Sequence, residues 1–253
     1  MYHSTGFYKQ EITDLAVLLH PLIKVKKTWR GRPAKLGLFK QIQATLWYLR
    51  RNRTQTEIAE LMGVSQPTIS RIITTITHLL AIALQDRIPT AEHTDTLGQL
   101  LIDGTLLPCW SWEEFPELWS GKHKTTGMSV QVACTLAGQL VWISDPEPGS
   151  VHDAKALRGT GFLDTPTHTK HIGDKGYIGL DMITPFRKPP GGELLDWQKE
   201  FNKTINKIRW KVEQCIAHIK NWRILHTDYR RPHKTHPGTI TAVIGLIFCT
   251  LPL

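Results

Sequence analysis

Three carboxylates stand where phosphoester chemistry would need them. Asp103 follows the apolar run GQLLI at residues 98–102 and precedes Gly104 and Thr105. Asp174 follows a strand-like segment, 171–173, inside GDKGY. Both are expected at the carboxyl ends of short strands, where ligand sites of open α/β sheets form. Glu213 lies on a long amphipathic segment whose apolar residues Phe201, Ile205, Ile208, Val212, Cys215, Ile219 and Trp222 alternate in steps of four and three, the stripe of a helix facing a core. Arg209, Glu213 and Lys220 each follow a stripe residue by one position, so they form a second row rotated about 100° from the first. Taken singly, an Asp after a strand is a turn former and a Glu on a helix is solvated. Together, three carboxylates repel unless a cation neutralises them. Oxygen donors without His or Cys suit Mg²⁺ or Mn²⁺. Two such ions about 4 Å apart activate water and stabilise a leaving 3′-oxygen in phosphodiester cleavage.

The elements that must position these groups fall into three textures. The chain up to about Leu84 reads as helical, with a helix predicted at 38–49. Residues 85–98, carrying Pro89 and several threonines, read as a linker. From Leu100 the order is strand, hairpin (128–135 and 139–144 around Gly138), short helix from Asp153 towards Leu157, strands at 171–173 and 181–184, and the long helix. That order predicts an α/β domain with a mixed sheet and flanking helices. Ser150 and Asp153 fit a capping box at the short helix's start, a reading preferred to a metal role, with His152 a neighbour of the site. The apolar tail from residue 240 reads as a packed terminal helix.

Residues 55–74, QTEIAELMGVSQPTISRIIT, carry a second pattern. Ala59 is small where two helices would cross, and Gly63 stands where the turn needs positive φ. Ile58, Met62, Val64, Ile69, Ile72 and Ile73 fill the inner face. Ser65 is expected to cap the second helix and Pro67 is tolerated in its first turn. These positions match the helix-turn-helix pattern of DNA-binding proteins, in which the second helix enters the major groove; a plain αα-hairpin with the same turn chemistry is the other reading. Gln66, Thr68, Ser70, Arg71 and Thr74 are the second helix's exposed face, suited to base edges and phosphates. Basic residues precede it: Lys24, Lys26, Lys27, Arg30, Arg32 and Lys35, then Arg50, Arg51 and Arg53.

Composition agrees. With 41% hydrophobic and 21% charged residues the chain is a globular protein rather than a disordered one. A formal charge of +9 favours a polyanionic partner. Cys109, Cys134, Cys215 and Cys249 form no C-x-x-C pair, which argues against a zinc or disulfide framework and for a reduced compartment. No apolar run reaches the roughly 18 residues of a membrane span, and no signal peptide opens the chain. The expected location is cytoplasmic, at the nucleoid. Lys122, His123 and Lys124 read either as DNA contacts or as a charged loop. Arg230, Arg231, His233 and Lys234 read either as phosphate contacts or as a solvated face. Trp110, Trp112 and Trp119 read as core or interface residues before base-stacking ones.

LIDGT around Asp103, PGSVHDAKAL at 148–157, GDKGY at 173–177 and R-x₃-E-x₆-K from Arg209 through Glu213 to Lys220 resemble the DDE transposases of the IS5 group and the related Harbinger-type nucleases. The resemblance spans roughly residues 98–222. The family's usual Tyr three residues before the Arg is Asn206 here. The resemblance implies an RNase H-like catalytic domain, residues 94–253, behind a helical DNA-binding region, residues 1–93. It implies a catalytic and metal-binding triad of Asp103, Asp174 and Glu213, with Mg²⁺ or Mn²⁺ as cofactor, two ions in all. Arg209 and Lys220 would contact DNA phosphate or steady the carboxylates, while an Arg209–Glu213 salt bridge is the other reading of Arg209. The implied reaction is cleavage at the terminal inverted repeats of a transposon and transfer of the freed 3′-hydroxyl to target DNA. Because two ends must meet, a dimer or larger is expected. The alternatives are a domesticated or decayed relative that is a metal-dependent endonuclease, or only a DNA-binding protein.

Overall fold

The computed structural model describes residues 2–25, 34–110, 114–164 and 169–250. Lys26, Lys27, Arg30, Arg32 and Trp112 of the sequence reading lie outside these residues, as does the Lys24 side chain. In chain order the elements are α1 (Tyr2–Thr5), α2 (Lys9–Val25), α3 (Leu38–Arg51), α4 (Gln55–Met62), α5 (Gln66–Ala83), β1 (Leu100–Pro108), β2 (Trp119–Ser120), β3 (Thr125–Thr135), β4 (Leu140–Ile143), β5 (Glu147–Pro148), α6 (Asp153–Gly159), α7 (Asp196–Ile219) and α8 (His236–Thr250). Among the described residues no single helix is long and apolar enough to cross a membrane.

Two compact units emerge, one of residues 1–88 with 220–253, the other of residues 89–219. The first is all helical. α3 is its centre: Ile42, Leu46 and Leu49 are fully buried, and α1, α2, α4 and α5 pack around it. The carboxyl-terminal α8 joins this unit on α5. α8 is apolar on all sides, so it must be buried all round. The turn between α4 and α5 is as expected: Gly63 closes α4 at φ 62°, where a side chain would be strained. Thr54 caps α4 by accepting from the Glu57 N–H. Ser65 stands at the N-cap of α5, but its hydroxyl pairs with that of Thr68 rather than with a backbone amide.

The second unit is built on a mixed sheet. β1 and β3 pair antiparallel along their length, with Asp103 opposite Val132 and Gly104 opposite Gln131. β4 lies on the far side of β3 across the hairpin, and β2 and β5 also pair with β3. On the other side of β1, Ile172 bridges Leu101 in parallel, and Ile183 bridges Ile172 in parallel. This is the mixed, helix-flanked sheet expected of the RNase H-like class. Leu100, Ile102, Ala133, Trp142, Leu157, Phe162 and Tyr177 form one core cluster, and α7 packs on β1 and β3. The segment expected as a plain linker contains two short 3₁₀ turns, Gln85–Arg87 and Ala91–Leu97.

β1 corrects the sequence reading. The strand does not stop before Asp103; it runs on through Gly104 and Thr105 to Pro108. Glycine is tolerated there because another side chain comes close: a Cβ on Gly104 would stand 2.5 Å from Asp153 Oδ1. A second correction concerns α6. Its N-cap is His152, whose Nδ1 accepts from the Ala154 N–H at 3.3 Å, so Ser150 is not the cap and Asp153 is left for other contacts.

Candidate active site

Asp103 sits mid-strand with its side chain 14% exposed. Its Oδ2 accepts from Arg209 Nη2 of α7 at 3.0 Å, and its Oδ1 accepts from the Gly104 N–H at 2.9 Å. Burial pushes its carboxyl up to about 6 against the pull of the Arg209 guanidinium; the nearby charge of Asp174 adds to the rise, and Lys122 opposes it. Asp174 follows the short parallel bridge at Ile172, and its Oδ1 accepts from the Gly176 N–H at 2.6 Å, closing the 3₁₀ turn Lys175–Tyr177. Adjacent parallel segments therefore bring Asp103 and Asp174 side by side, as their motifs imply.

A third aspartate comes to the same place. Asp153, at the start of α6, is 13% exposed in its side chain, and its Oδ2 accepts from Lys122 Nζ at 2.7 Å. Burial pulls the Lys122 ammonium down, but the bond to Asp153 and the charges of Asp153, Asp174 and Asp103 more than offset it and hold its pKa above the ordinary value. Lys122 thus feels all three aspartates. Tyr177, fully buried beneath them, has its phenol pushed up by burial and then by Asp153, Asp103 and Asp174. Its hydroxyl donates to Gln131 Oε1 at 2.5 Å. A cleft of about 340 Å³ opens here, lined by Ser120, Lys122, His123, His152, Asp153 and Asp174 among others.

The other sequence-derived residues distribute as follows. Arg209 pairs with Asp103, so the alternative ion pair to Glu213 does not form. Glu213 is exposed one turn further along α7 and makes no hydrogen bond or ion pair among the described residues. Lys220 follows the end of α7, belongs to the helical unit and is half-buried, which lowers its pKa. On α5, Gln66, Arg71 and Thr74 are exposed, and Thr68 and Ser70 half-buried. Gln66 Nε2 donates to Gln55 Oε1 at 2.7 Å. The late basic cluster reaches this unit's surface: Arg231 donates to Thr74 Oγ1 at 2.5 Å, and Arg230 to both oxygens of Asn52 at 3.1 Å. Trp110 and Trp119, read as core or interface residues, are about half exposed and so are not in the core.

Sequence reasoning assigned Asp153 to a capping box and left Lys122 between a DNA contact and a charged loop; it passed over Gln131 and Tyr177. Gln131 carried a signal, being the one amide in β3, flanked by Val130 and Val132. Lys122 carried no signal of its aspartate partners, since a loop lysine has no periodicity.

The donor set suits a hard divalent cation: Asp103, Asp153 and Asp174 are all oxygen donors. Among the described residues no three acidic, histidine or cysteine side chains converge as a ready-made metal cage. Lys122 and Arg209 stand among the carboxylates instead.

Residues 102–247 match the family described as DDE superfamily endonuclease, and residues 34–86 match the helix-turn-helix of DDE superfamily endonuclease. The chain is 32% identical over 197 residues to a putative transposase for insertion sequence element IS112 of Streptomyces albus G, covering 78% of this chain and 74% of that one. It is 26% identical over 219 residues to a probable transposase for insertion sequence element IS702 of Microchaete diplosiphon, covering 83% of this chain and 79% of that one.

Proposed function

This chain belongs to the DDE superfamily endonucleases, and from that premise we propose that it is a DNA transposase that cleaves phosphodiester bonds at the terminal inverted repeats of its element and transfers the freed 3′-hydroxyl to target DNA. The observation that carries the reading is the juxtaposition of Asp103 and Asp174 on adjacent parallel segments, with Arg209 of α7 bonded to the first. Divalent cations, Mg²⁺ or Mn²⁺ and two in number, would supply the activation of water and the stabilisation of the leaving oxygen.

The chain's own residues do the rest. Asp103 and Asp174 offer the oxygen donors, and Glu213, on the same flank of α7 as Arg209, completes the triad. Arg209 favours the ionised form of Asp103 and fixes its carboxylate. α5 positions the DNA through Gln66, Thr68, Ser70 and Arg71, and Lys220 adds a phosphate contact. Two ends must be held at once, so the working form is at least a dimer. The site of action is the nucleoid, in the cytoplasm.

The test is cleavage of a labelled duplex carrying the element's terminal repeats, with Mg²⁺ or Mn²⁺ and with chelator. Wild type is expected to nick at the repeat ends only with metal, and Asp174→Ala and Asp174→Asn are expected to bind the duplex without nicking it. Salt-sensitive binding with no cleavage by wild type would leave a DNA-binding relative. Cleavage without joining would leave an endonuclease.

A further inference from the structure

Asp153 stands in the first turn of α6, where a carboxylate suits the helix N-terminus, and pairs with Lys122, but neither role requires it to be buried against the sheet. His152, not Asp153, caps α6, and among the described residues Lys122 is the only hydrogen-bond partner of the Asp153 carboxylate. Yet the chain makes room for it. Its Oδ1 occupies the space a Cβ on Gly104 would need. Its Oδ2 lies 3.5 Å from where a Cβ on Gly176 would stand, and Asp174 Oδ1 lies 2.8 Å from that same point. The Asp153 and Asp174 carboxylates therefore converge over Gly176, while Asp103 approaches Asp174 along the sheet. Asp174 is the member they share.

An independent observation points to a ligand in this place. Gln131 is 1% exposed, and its Oε1 is taken by Tyr177, but its Nε2 has no partner among the described residues. That nitrogen lies 3.1 Å from the Gly104 Cβ position, beside Asp153 Oδ1. A buried amide donor left unbonded is costly, so its orientation is expected to serve an oxygen that enters the site. Charge points the same way. With the three aspartates ionised, Lys122 and Arg209 leave one negative charge in excess, and a divalent cation in place of the Lys122 ammonium would bring the cluster to neutrality.

We propose that Asp153 is a further cation-binding residue. Asp153 and Asp174 form a position for a divalent cation, which competes with the Lys122 ammonium for it. Lys122, once displaced, is free to meet a phosphate oxygen of the DNA in the cleft. Gln131, held by Tyr177, is a positioning residue that donates to an oxygen ligand at this position. The inference rests on the reading of the chain as a divalent-cation-dependent nuclease for the use made of the ion, but its test needs no DNA.

Mn²⁺ binding to the full chain is measured by calorimetry and by electron paramagnetic resonance at pH 7.5, with circular dichroism to confirm folding of each variant. Asp153→Asn is expected to weaken Mn²⁺ binding at least tenfold, and Lys122→Met to tighten it severalfold, because the competing charge is gone. If Asp153 merely anchors Lys122, Asp153→Asn frees the cluster and leaves Mn²⁺ affinity unchanged or higher; that outcome overturns the proposal. Weaker binding by Lys122→Met, or no binding by wild type, also overturns it. Asp153-sensitive Mn²⁺ binding in a chain that never nicks DNA would sustain this inference and sink the proposed function. Asp174-dependent nicking with Mn²⁺ affinity indifferent to Asp153 would do the reverse.

Discussion

Replacing Arg209 by Gln separates the charge of this side chain from its bulk, and the consequence falls on Asp103. The pair is 3.0 Å apart, with both side chains about seven-eighths buried. Asp103 already stands at about 6 with the guanidinium in place, because burial outweighs it. An adjacent opposite charge lowers a carboxyl by roughly one to three pH units, so its removal is expected to carry the Asp103 midpoint to roughly 7–9. At pH 7.5 the wild-type carboxylate is almost wholly ionised, whereas a midpoint near 8 leaves roughly a quarter of it so. Protonation removes the donor a cation needs, so the acid limb of the nicking profile should move up by the same interval. Activity lost at pH 7.5 should return in part near pH 9. The midpoint itself is read by carbon-13 carboxyl resonances of the full-length protein, independently of activity. A wild-type midpoint near 4, or a variant whose midpoint stays put or falls, would refute the reasoning. The same ionisation acts on stability. The folded value lies above the ordinary 3.8, so the contribution of the protonated carboxyl is fully present below about pH 4 and lost as pH rises through about 6. The loss is on the order of 3 kcal/mol. The difference in unfolding free energy between wild type and Asp103→Asn should change across that window and be flat on either side of it.

Other outcomes follow from single contacts. Tyr177→Phe deletes the bond to Gln131 Oε1 in the core; denaturant unfolding should show a loss of about 1–3 kcal/mol, and a loss near zero would mean the bond contributes nothing. Gly245→Ala places a Cβ 2.6 Å from Leu84 Cβ where α8 meets the end of α5. Overpacking outweighs the gain in helix propensity, so a net loss of about 1–2 kcal/mol is expected, and an unchanged melting temperature would show that this contact yields freely. Arg71→Ala, on the exposed face of α5, should weaken duplex binding and reduce the slope of log affinity against log salt by about 1 if it meets a phosphate. A loss confined to one base pair with the slope intact would assign it to base reading, and no change in either would remove it from the interface.

The helix-turn-helix was legible residue by residue because its constraints are local. Gly63 must take positive φ, Ala59 must be small, and Ile58, Ile69 and Ile73 must face inward, all within twenty residues. α7 was legible for the same reason: a period of 3.6 residues is written along the chain. Asp103 and Asp174 were found because each closes or interrupts an apolar run beside glycine, although the strand around Asp103 proved longer than its glycine suggested. What the tertiary structure decided was partnership. Nothing in the spacing chose Asp103 over Glu213 as the partner of Arg209; an i,i+4 pair is available on any helix, but the docking of α7 on β1 placed a buried carboxylate in reach first. The convergence of Asp153, Lys122 and Gln131 likewise arises from segments that share no period and are joined only by the packing of α6 and the loop before β3 around Gly104. Periodicity records which face of an element is buried; it carries no record of what meets that face, and in this chain that meeting sets the charge balance of the site.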